Sequence, residues 1–201
     1  NEQIDDNSVA KSVEKACDLA LKELGTDYID LYLLHWPDRT KPITEILQAL
    51  SKLVLTSKVK AIGVSNCTVK HLQDALNEGI SLVANQVEFH PYLYQKELLQ
   101  FCKQHQITLI SYRSFGKGAI LSDSVLSEIG KRHNKSTAQI VLRWLAQRRI
   151  PAIPKASSPK YLKENLAIFD FSLSQEEMSS IDVLNRNQRF CSGSDWTDFD
   201  Y

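Results

Sequence analysis

Short apolar runs alternate with amphipathic patterns along most of the chain. Each apolar run is too short for a helix and is bounded by turn residues, which is typical of a strand buried on both faces of a parallel sheet. Apolar residues at helical spacing follow the runs and predict helices packed outside that sheet. The five predicted strands are residues 30–35, 60–66, 82–91, 107–112 and 150–154. The predicted helix caps are Ser8, Thr68, Ser136, Ser158 and Ser174.

Two architectures share this alternation: a closed (β/α)8 barrel and an open doubly wound sheet. None of the predicted strands is followed by a Gly-x-Gly-x-x-Gly turn, which disfavours the dinucleotide-binding version of the open sheet. A complete (β/α)8 barrel typically takes about 250 residues. With 201 residues and five predicted strands, the chain would supply only part of such a barrel.

Composition excludes several classes of function. The chain has 24 basic and 24 acidic residues, and this balance argues against binding to nucleic acid or to an anionic membrane surface. No apolar run is long enough to span a bilayer, and the five histidines lack ligand spacing, so no metal site is expected. The four cysteines are far apart in the sequence, which favours free thiols in a reducing compartment and therefore a cytoplasmic protein.

One predicted strand ends in a candidate reactive residue. The run from Asp30 stops at His35, Trp36 and Pro37. Because Pro37 cannot donate to a sheet ladder, it ends the strand and leaves His35 at the carboxyl end, where parallel α/β proteins place their chemistry. A core histidine bonded to a neighbouring carbonyl group would explain the same residue equally well.

Four motifs in register carry a family resemblance. They are His35-Trp36-Pro37, Gly63-Val64-Ser65-Asn66, Asn85-Gln86-Val87-Glu88-Phe89-His90-Pro91 and Ile153-Pro154-Lys155. In this order and at these separations they closely resemble the aldo-keto reductase superfamily, and in particular its bacterial 2,5-diketogluconate reductase type. The resemblance implies a TIM-type (β/α)8 barrel. Residues 1–201 would form a single partial barrel domain that supplies roughly the last five βα units.

The resemblance also implies a reaction, the reduction of aldehydes and ketones by hydride transfer from NADPH with a tyrosine as general acid. His35 matches the histidine that orients the substrate carbonyl, and a buried neutral imidazole can donate one hydrogen bond to it without adding net charge. Trp36 matches an aromatic wall of the substrate pocket, and Trp196 is the expected pocket contact from the carboxyl-terminal tail. Packing on the barrel rim or surface is the alternative role for both tryptophans.

Four positions match contacts to the nicotinamide end of the cofactor. Ser65, Asn66 and Gln86 match the side chains that hold the carboxamide, since hydroxyl and amide groups supply the donors and acceptors that an amide ligand needs. Tyr112 matches the aromatic residue that stacks on the nicotinamide ring. The loop that follows departs from the family pattern, because residues 113–117 contain two cations where small or hydroxylated residues are usual; these cations could still neutralise phosphate.

Another four positions match contacts to the adenine end. Lys155 and Ser158 match a clamp on the ribose phosphate, and Glu164 and Asn165 match contacts to adenine. The amino terminus of the helix that Ser158 opens would also favour an anion. Tyr161 replaces the arginine that is usual in this clamp, so NADH remains an alternative to NADPH.

The largest departure from the family is an absence. The catalytic aspartate, tyrosine and lysine of the family lie on early strands and their loops, and this sequence begins just after them, without an initiating methionine. We therefore expect reductase activity only if a missing amino-terminal part completes the barrel. A catalytically dead truncated barrel with residual nucleotide binding is one alternative. A regulatory module that binds a protein partner, as in the channel β-subunit relatives, is the other.

Overall fold

The structure is a computed structural model that describes residues 6–38 and 40–191. These residues form two compact units. The first comprises the described residues up to Asn85 together with Phe101–Thr108, and the second comprises Gln86–Gln100 with the described residues from Leu109 onward. None of the helices in these ranges is both long enough and apolar enough to cross a membrane.

Helices and strands alternate along the chain as the apolar pattern predicts. Four of the five predicted strands form, and each is followed by a helix. In chain order the elements are α1 (Asp6–Leu24), β1 (Ile29–Leu34), α2 (Ile43–Leu55), β2 (Val59–Ser65), α3 (Val69–Asn77), β3 (Ala84–Glu88), α4 (Lys96–Gln104), β4 (Thr108–Tyr112), a 3₁₀ helix (Gly116–Ser122), α5 (Ser124–His133), α6 (Thr137–Gln147), α7 (Pro159–Leu166) and α8 (Gln175–Asp182).

In the first unit, β1 and β2 pair in parallel, with Leu33 opposite Gly63. The chain enters β3 beside β2, where the Val83 N–H donates to the Ile62 carbonyl over 3.1 Å. A Cβ atom at position 63 would lie only 2.7 Å from the Ala84 carbonyl oxygen, so the close approach of the strands requires glycine there. Helix α2 contacts α1, α3 and β2. Buried residues of these helices form the core of the unit: Cys17, Leu47, Leu50, Leu72 and Ala75.

In the second unit, the end of β3 lies beside the end of β4, where the Phe89 N–H donates to the Tyr112 carbonyl over 3.4 Å. The strands are therefore neighbours in chain order, β1-β2-β3-β4. Helix α5 contacts α6 and α8. Trp144 of α6 is fully buried and stacks on Phe89, with ring centroids 5.7 Å apart, so one aromatic pair joins the helices to the end of the sheet.

Three expectations from the sequence are wrong. The fifth predicted strand, residues 150–154, makes a single parallel bridge between Ala152 and Ser111, because Pro151 and Pro154 have no N–H groups with which to extend a ladder. Strand β1 is half-exposed instead of buried on both faces, since β2 is its only partner strand among the described residues. Helix α1 already includes Asp6, so Ser8 lies inside the helix and not at its start.

Candidate active site

The turn that follows β2 ties the carboxyl ends of β1 and β2 together. Asn66 has a left-handed backbone conformation (φ 61°), which asparagine tolerates better than most residues. Its Nδ2 donates to the His35 carbonyl and to the Ser65 hydroxyl, both over 3.0 Å. Ser65 and Asn66 are buried. Two residues predicted to bind the cofactor therefore form one ordered polar turn next to the backbone of His35.

Asn85 holds this turn from the start of β3. Its Nδ2 donates to the Cys67 carbonyl over 2.9 Å, and its Oδ1 accepts from the Cys67 N–H over 3.4 Å. Asn85 is fully buried. Asn85 belongs to one of the four family motifs, but its role was not predicted. The sequence signal that could have identified Asn85 is its position beside Gln86, as two amides inside an otherwise apolar run.

His35 and Trp36 lie on the loop that leaves β1. The His35 side chain is exposed and Trp36 is half-buried, and the two ring centroids are 6.1 Å apart. The expectation of a buried imidazole is therefore wrong for the described residues, and the alternative of a core histidine is wrong as well. Because the imidazole faces solvent at the carboxyl end of a parallel strand, it is accessible to a ligand.

Tyr112 ends β4 in the second unit, and Gln86 lies on β3; both are half-buried. Burial raises the pKa of the Tyr112 hydroxyl, and its hydrogen bond with the Cys191 thiol and the negative charge of Glu88 raise it further. The hydroxyl is therefore protonated throughout the physiological pH range. Tyr112 offers a neutral aromatic face to a stacking ligand.

Arg113 opens a tight turn after Tyr112. Its φ is 50°, and its carbonyl accepts from the Gly116 N–H over 2.7 Å. The guanidinium carbon lies 5.9 Å from the centroid of the Tyr112 ring. Its Nη1 atom is buried and has no hydrogen-bond partner within residues 6–38 and 40–191. A buried unpaired donor costs free energy, so this atom suits an anionic group on a ligand.

Helix α7 carries the residues predicted for the adenine end. The Ser158 hydroxyl caps the helix by accepting from the Tyr161 N–H over 3.4 Å, with Pro159 in the first turn, as the sequence predicts. Glu164 and Asn165 are half-buried on the same helix, and Lys155 is exposed before it. Ser158 is the one cap that also belongs to the predicted site.

Glu88 is a second buried polar residue whose role was not predicted. It lies at the end of β3 and is fully buried. Its carboxylate accepts hydrogen bonds from the N–H groups of Phe190 and Cys191, each over 2.7 Å, and from His90 Nε2 over 3.0 Å. The available signal was a carboxylate two residues before a histidine at the end of an apolar run.

The remaining predictions concern the tail, metals and thiols. Trp196 lies outside the described residues. Among the described residues, no group of three or more histidine, cysteine, aspartate or glutamate side chains could hold a metal ion. All four cysteines are free and buried.

Comparison with known proteins places the chain in a family. The model of the aldo/keto reductase family matches residues 2–186. A glyoxal reductase of Bacillus subtilis is 45% identical over 175 residues, which are 87% of this chain and 63% of that protein. The chain therefore spans less than two thirds of the length of this relative.

Two solved structures have the same fold. A protein assigned as 2,5-diketo-D-gluconic acid reductase B has a TM-score of 0.84 and 38% identity, with 88% of this chain and 64% of that chain covered. A Bombyx mori aldo-keto reductase in complex with NADP has a TM-score of 0.85 and 32% identity, with 94% and 68% covered. The α/β fold of this chain matches that of these reductases, as the four motifs predicted. The chain belongs to the aldo/keto reductase family.

Proposed function

We propose that this chain is the carboxyl-terminal part of an NAD(P)H-dependent reductase of aldehydes and ketones. Residues 1–201 would supply roughly the last five βα units of a TIM barrel, as one partial domain. An amino-terminal part would supply the remaining strands with the catalytic aspartate, tyrosine and lysine. The relatives support this proposal, since they include a glyoxal reductase and a structure with bound NADP.

The pairing of Tyr112 with Arg113 carries the proposal. It combines a neutral aromatic face with a buried, unpaired guanidinium donor. A nicotinamide dinucleotide has both an aromatic ring and phosphate groups, so these two residues fit that class of cofactor. When bound, the dinucleotide would supply the hydride. NADPH is the proposed form, with NADH as the alternative because Tyr161 stands where the family usually has arginine.

Polar side chains of this chain would bind the rest of the cofactor. Ser65, Asn66 and Gln86 would hold the nicotinamide carboxamide, because hydroxyl and amide groups match its donors and acceptors. Lys155 and Ser158 would hold the ribose phosphate, with help from the positive end of α7. The two proposed adenine contacts are Glu164 and Asn165.

The proposed substrate is a small carbonyl compound. The exposed imidazole of His35 would donate a hydrogen bond to its carbonyl oxygen and fix its orientation. Trp36 and Trp196 would form aromatic walls of the pocket. We propose a cytoplasmic location, which agrees with four unpaired buried thiols.

Two other functions are open to the same family. In the first, the chain is a truncated barrel that binds the nucleotide weakly and reduces nothing. In the second, the barrel is a regulatory module that binds a protein partner. Neither has a specific observation in its favour, and the similarity to glyoxal and aldose reductases favours an enzyme.

The test begins with the intact mass of the protein from its native source. A mass well above 22.8 kDa is expected, because the proposed reductase needs more strands. NADPH oxidation is then followed with that protein and a panel of aldehydes that includes glyoxal. Tyr112→Phe keeps the stacking face and should retain NADPH binding, whereas Tyr112→Ala should weaken it about tenfold or more.

The outcomes separate the three functions. NADPH oxidation by the larger protein supports the reductase. A native mass of 22.8 kDa with NADPH binding and no turnover supports the truncated barrel. Cofactor-dependent capture of a protein partner without turnover supports the regulatory module. Equal NADPH affinity for the wild-type chain and Tyr112→Ala contradicts the stacking role.

A further inference from the structure

The last described residues of the chain run back along the loop that follows β3. We call residues 185–191 the C-terminal strap. The Asn185 Oδ1 accepts from the Tyr94 N–H over 2.9 Å, and the N–H groups of Arg186 and Gln188 donate to the Tyr92 carbonyl over 3.3 and 3.0 Å. The Arg186 guanidinium lies 3.7 Å above the centroid of the Tyr92 ring. The strap is therefore paired with the β3 loop over most of its length.

The Glu88 side chain binds the carboxyl-terminal end of the strap. Its Oε1 accepts from the Phe190 N–H and its Oε2 from the Cys191 N–H, so each carboxylate oxygen holds one backbone group of the strap. The Glu88 carbonyl also accepts from Gln95 Nε2 over 2.6 Å, which fixes the backbone that carries the carboxylate. Glutamate is needed because an amide at this position would present a donor to one of the two N–H groups.

The carboxylate of Glu88 is ionised in this position. Burial acts to raise its pKa, but the hydrogen bond from His90, the two backbone N–H groups and the charge of His90 together hold the pKa below its usual value. The Phe190 ring also contacts His90, with ring centroids 5.4 Å apart. A charged acceptor makes stronger hydrogen bonds than a neutral one, which suits an anchor for a terminal segment.

The strap reaches Tyr112 from this anchor. Glu88 holds the backbone N–H of Cys191, and Cys191 is close enough to Tyr112 to raise the pKa of the Tyr112 hydroxyl. Phe190 packs against the turn after β4, where a Cβ atom on Gly116 would lie 2.7 Å from Phe190 Cε2. A shift of the strap would therefore disturb both the hydroxyl of Tyr112 and the turn that follows it.

We propose that Glu88 is a positioning residue whose carboxylate fixes the C-terminal strap and thereby seats Cys191 against Tyr112. The effect on catalysis rests on the proposed function, in which Tyr112 is the platform for the nicotinamide ring. The anchoring itself does not depend on any bound cofactor.

The accessibility of the Cys191 thiol tests the proposal. The 201-residue chain is treated with a thiol-modifying disulfide reagent, and the rate at each cysteine is read by peptide mass mapping. All four thiols are buried, so the wild-type rates should be slow. Glu88→Gln should speed modification of Cys191 by about tenfold, because one backbone N–H then faces an amide donor. Cys17, Cys67 and Cys102 should keep their wild-type rates.

Matched variants separate anchoring from general stability. Glu97→Gln makes the same chemical change on the exposed face of α4 and should leave all four rates unchanged. Glu88→Asp keeps both carboxylate oxygens on a shorter side chain and should give an intermediate rate at Cys191. Equal acceleration at all four cysteines would show that Glu88 only stabilises the fold, which contradicts the proposal. An unchanged rate at Cys191 in both Glu88 variants also contradicts it.

NADPH added to the wild-type chain and to Glu88→Gln tests the proposed function separately. Weaker NADPH binding by Glu88→Gln than by Glu97→Gln is expected. If neither the wild-type chain nor the larger protein from the native source binds NADPH, the proposed function fails, while faster modification of Cys191 alone still supports the anchoring role of Glu88.

Discussion

The side-chain amide of Asn85 makes the pair of hydrogen bonds that a backbone peptide group of a neighbouring strand would make. It supplies one donor and one acceptor to the backbone of Cys67, which lies 18 residues away in the sequence. Both partners are buried, so water cannot replace the amide. The polar turn of Ser65 and Asn66 therefore depends on a residue that the proposed ligand would not touch.

Asn85→Ala should lower the free energy of unfolding by about 1–3 kcal/mol, because it leaves two buried backbone groups of Cys67 unpaired. Urea denaturation measures this difference. Asn77→Ala is the matched control, since Asn77 is exposed on α3 and accepts a hydrogen bond from the exposed Gln73 side chain. The control should change stability by less than about 0.5 kcal/mol. Equal effects of the two substitutions would contradict the role of Asn85.

At the scale of elements, a titratable pair joins α5 to α8. Glu177 is buried near the start of α8, and its carboxylate accepts from His133 Nε2 at 2.9 and 3.1 Å. Its Oε2 also accepts from the Ser174 N–H over 2.9 Å, as part of a capping box. Burial acts to raise the pKa of Glu177, but these hydrogen bonds and the charges of His133 and Arg132 hold the pKa below its ordinary value of 4.5.

This pKa shift predicts a pH dependence of stability. Since the folded pKa is below the unfolded one, the ionised Glu177 stabilises the fold above about pH 4.5, and this contribution is lost as the pH falls through the folded pKa. Glu177→Gln should lower stability by about 1–3 kcal/mol at pH 7. The difference from the wild type should shrink below pH 4.5.

Thermal unfolding of both chains over this pH range checks the prediction. Glu97→Gln is the control, because it makes the same chemical change at an exposed position on α4. A difference between the wild type and Glu177→Gln that stays constant down to low pH would contradict the assignment.

Local elements were predictable because their determinants are close in sequence. The capping boxes at Ser136 and Ser174 and the cap at Thr68 each use a residue three positions further along the chain. The contacts that sequence reasoning missed are long-range. Asn85 reaches back 18 residues, and Glu88 reaches forward 103 residues to Cys191. No local pattern specifies such a partner.

Burial was also hard to predict from a single element. The apolar run that became β1 indicates a strand in any context, but its exposure depends on which strands lie beside it. His35 shares this dependence, so its position at a strand end was predictable and its solvent exposure was not. The motifs located most of the proposed site residues, whereas Glu88 and Asn85 needed the folded structure.

At the scale of the whole molecule, each unit has a core and also exposes large apolar side chains. In the first unit, Leu55 is 85% exposed beside a groove of about 590 Å³. In the second unit, Leu166 and Phe169 are 74% and 72% exposed and line a groove of about 570 Å³. Apolar surface of this kind favours association.

We therefore expect the 201-residue chain to be of low stability or to self-associate as its concentration rises. Sedimentation velocity over a concentration series measures association. Phe169→Ser should reduce it without lowering the unfolding free energy by more than about 0.5 kcal/mol, because the ring is largely exposed. Val183→Ser is the control, since Val183 is 79% exposed but does not line either groove. A monomer that unfolds cooperatively at every concentration would contradict this expectation.

Pro151 and Pro154 affect whether copies of the chain can associate by pairing their strand edges. A strand edge recruits another chain's strand through its row of free N–H groups, and prolines remove members of that row. The segment beside β4 is therefore a poor template for fibril-like growth. Strand β1 contains no proline between Ile29 and Leu34, so its edge is more open than the segment beside β4 to pairing with a strand of another chain.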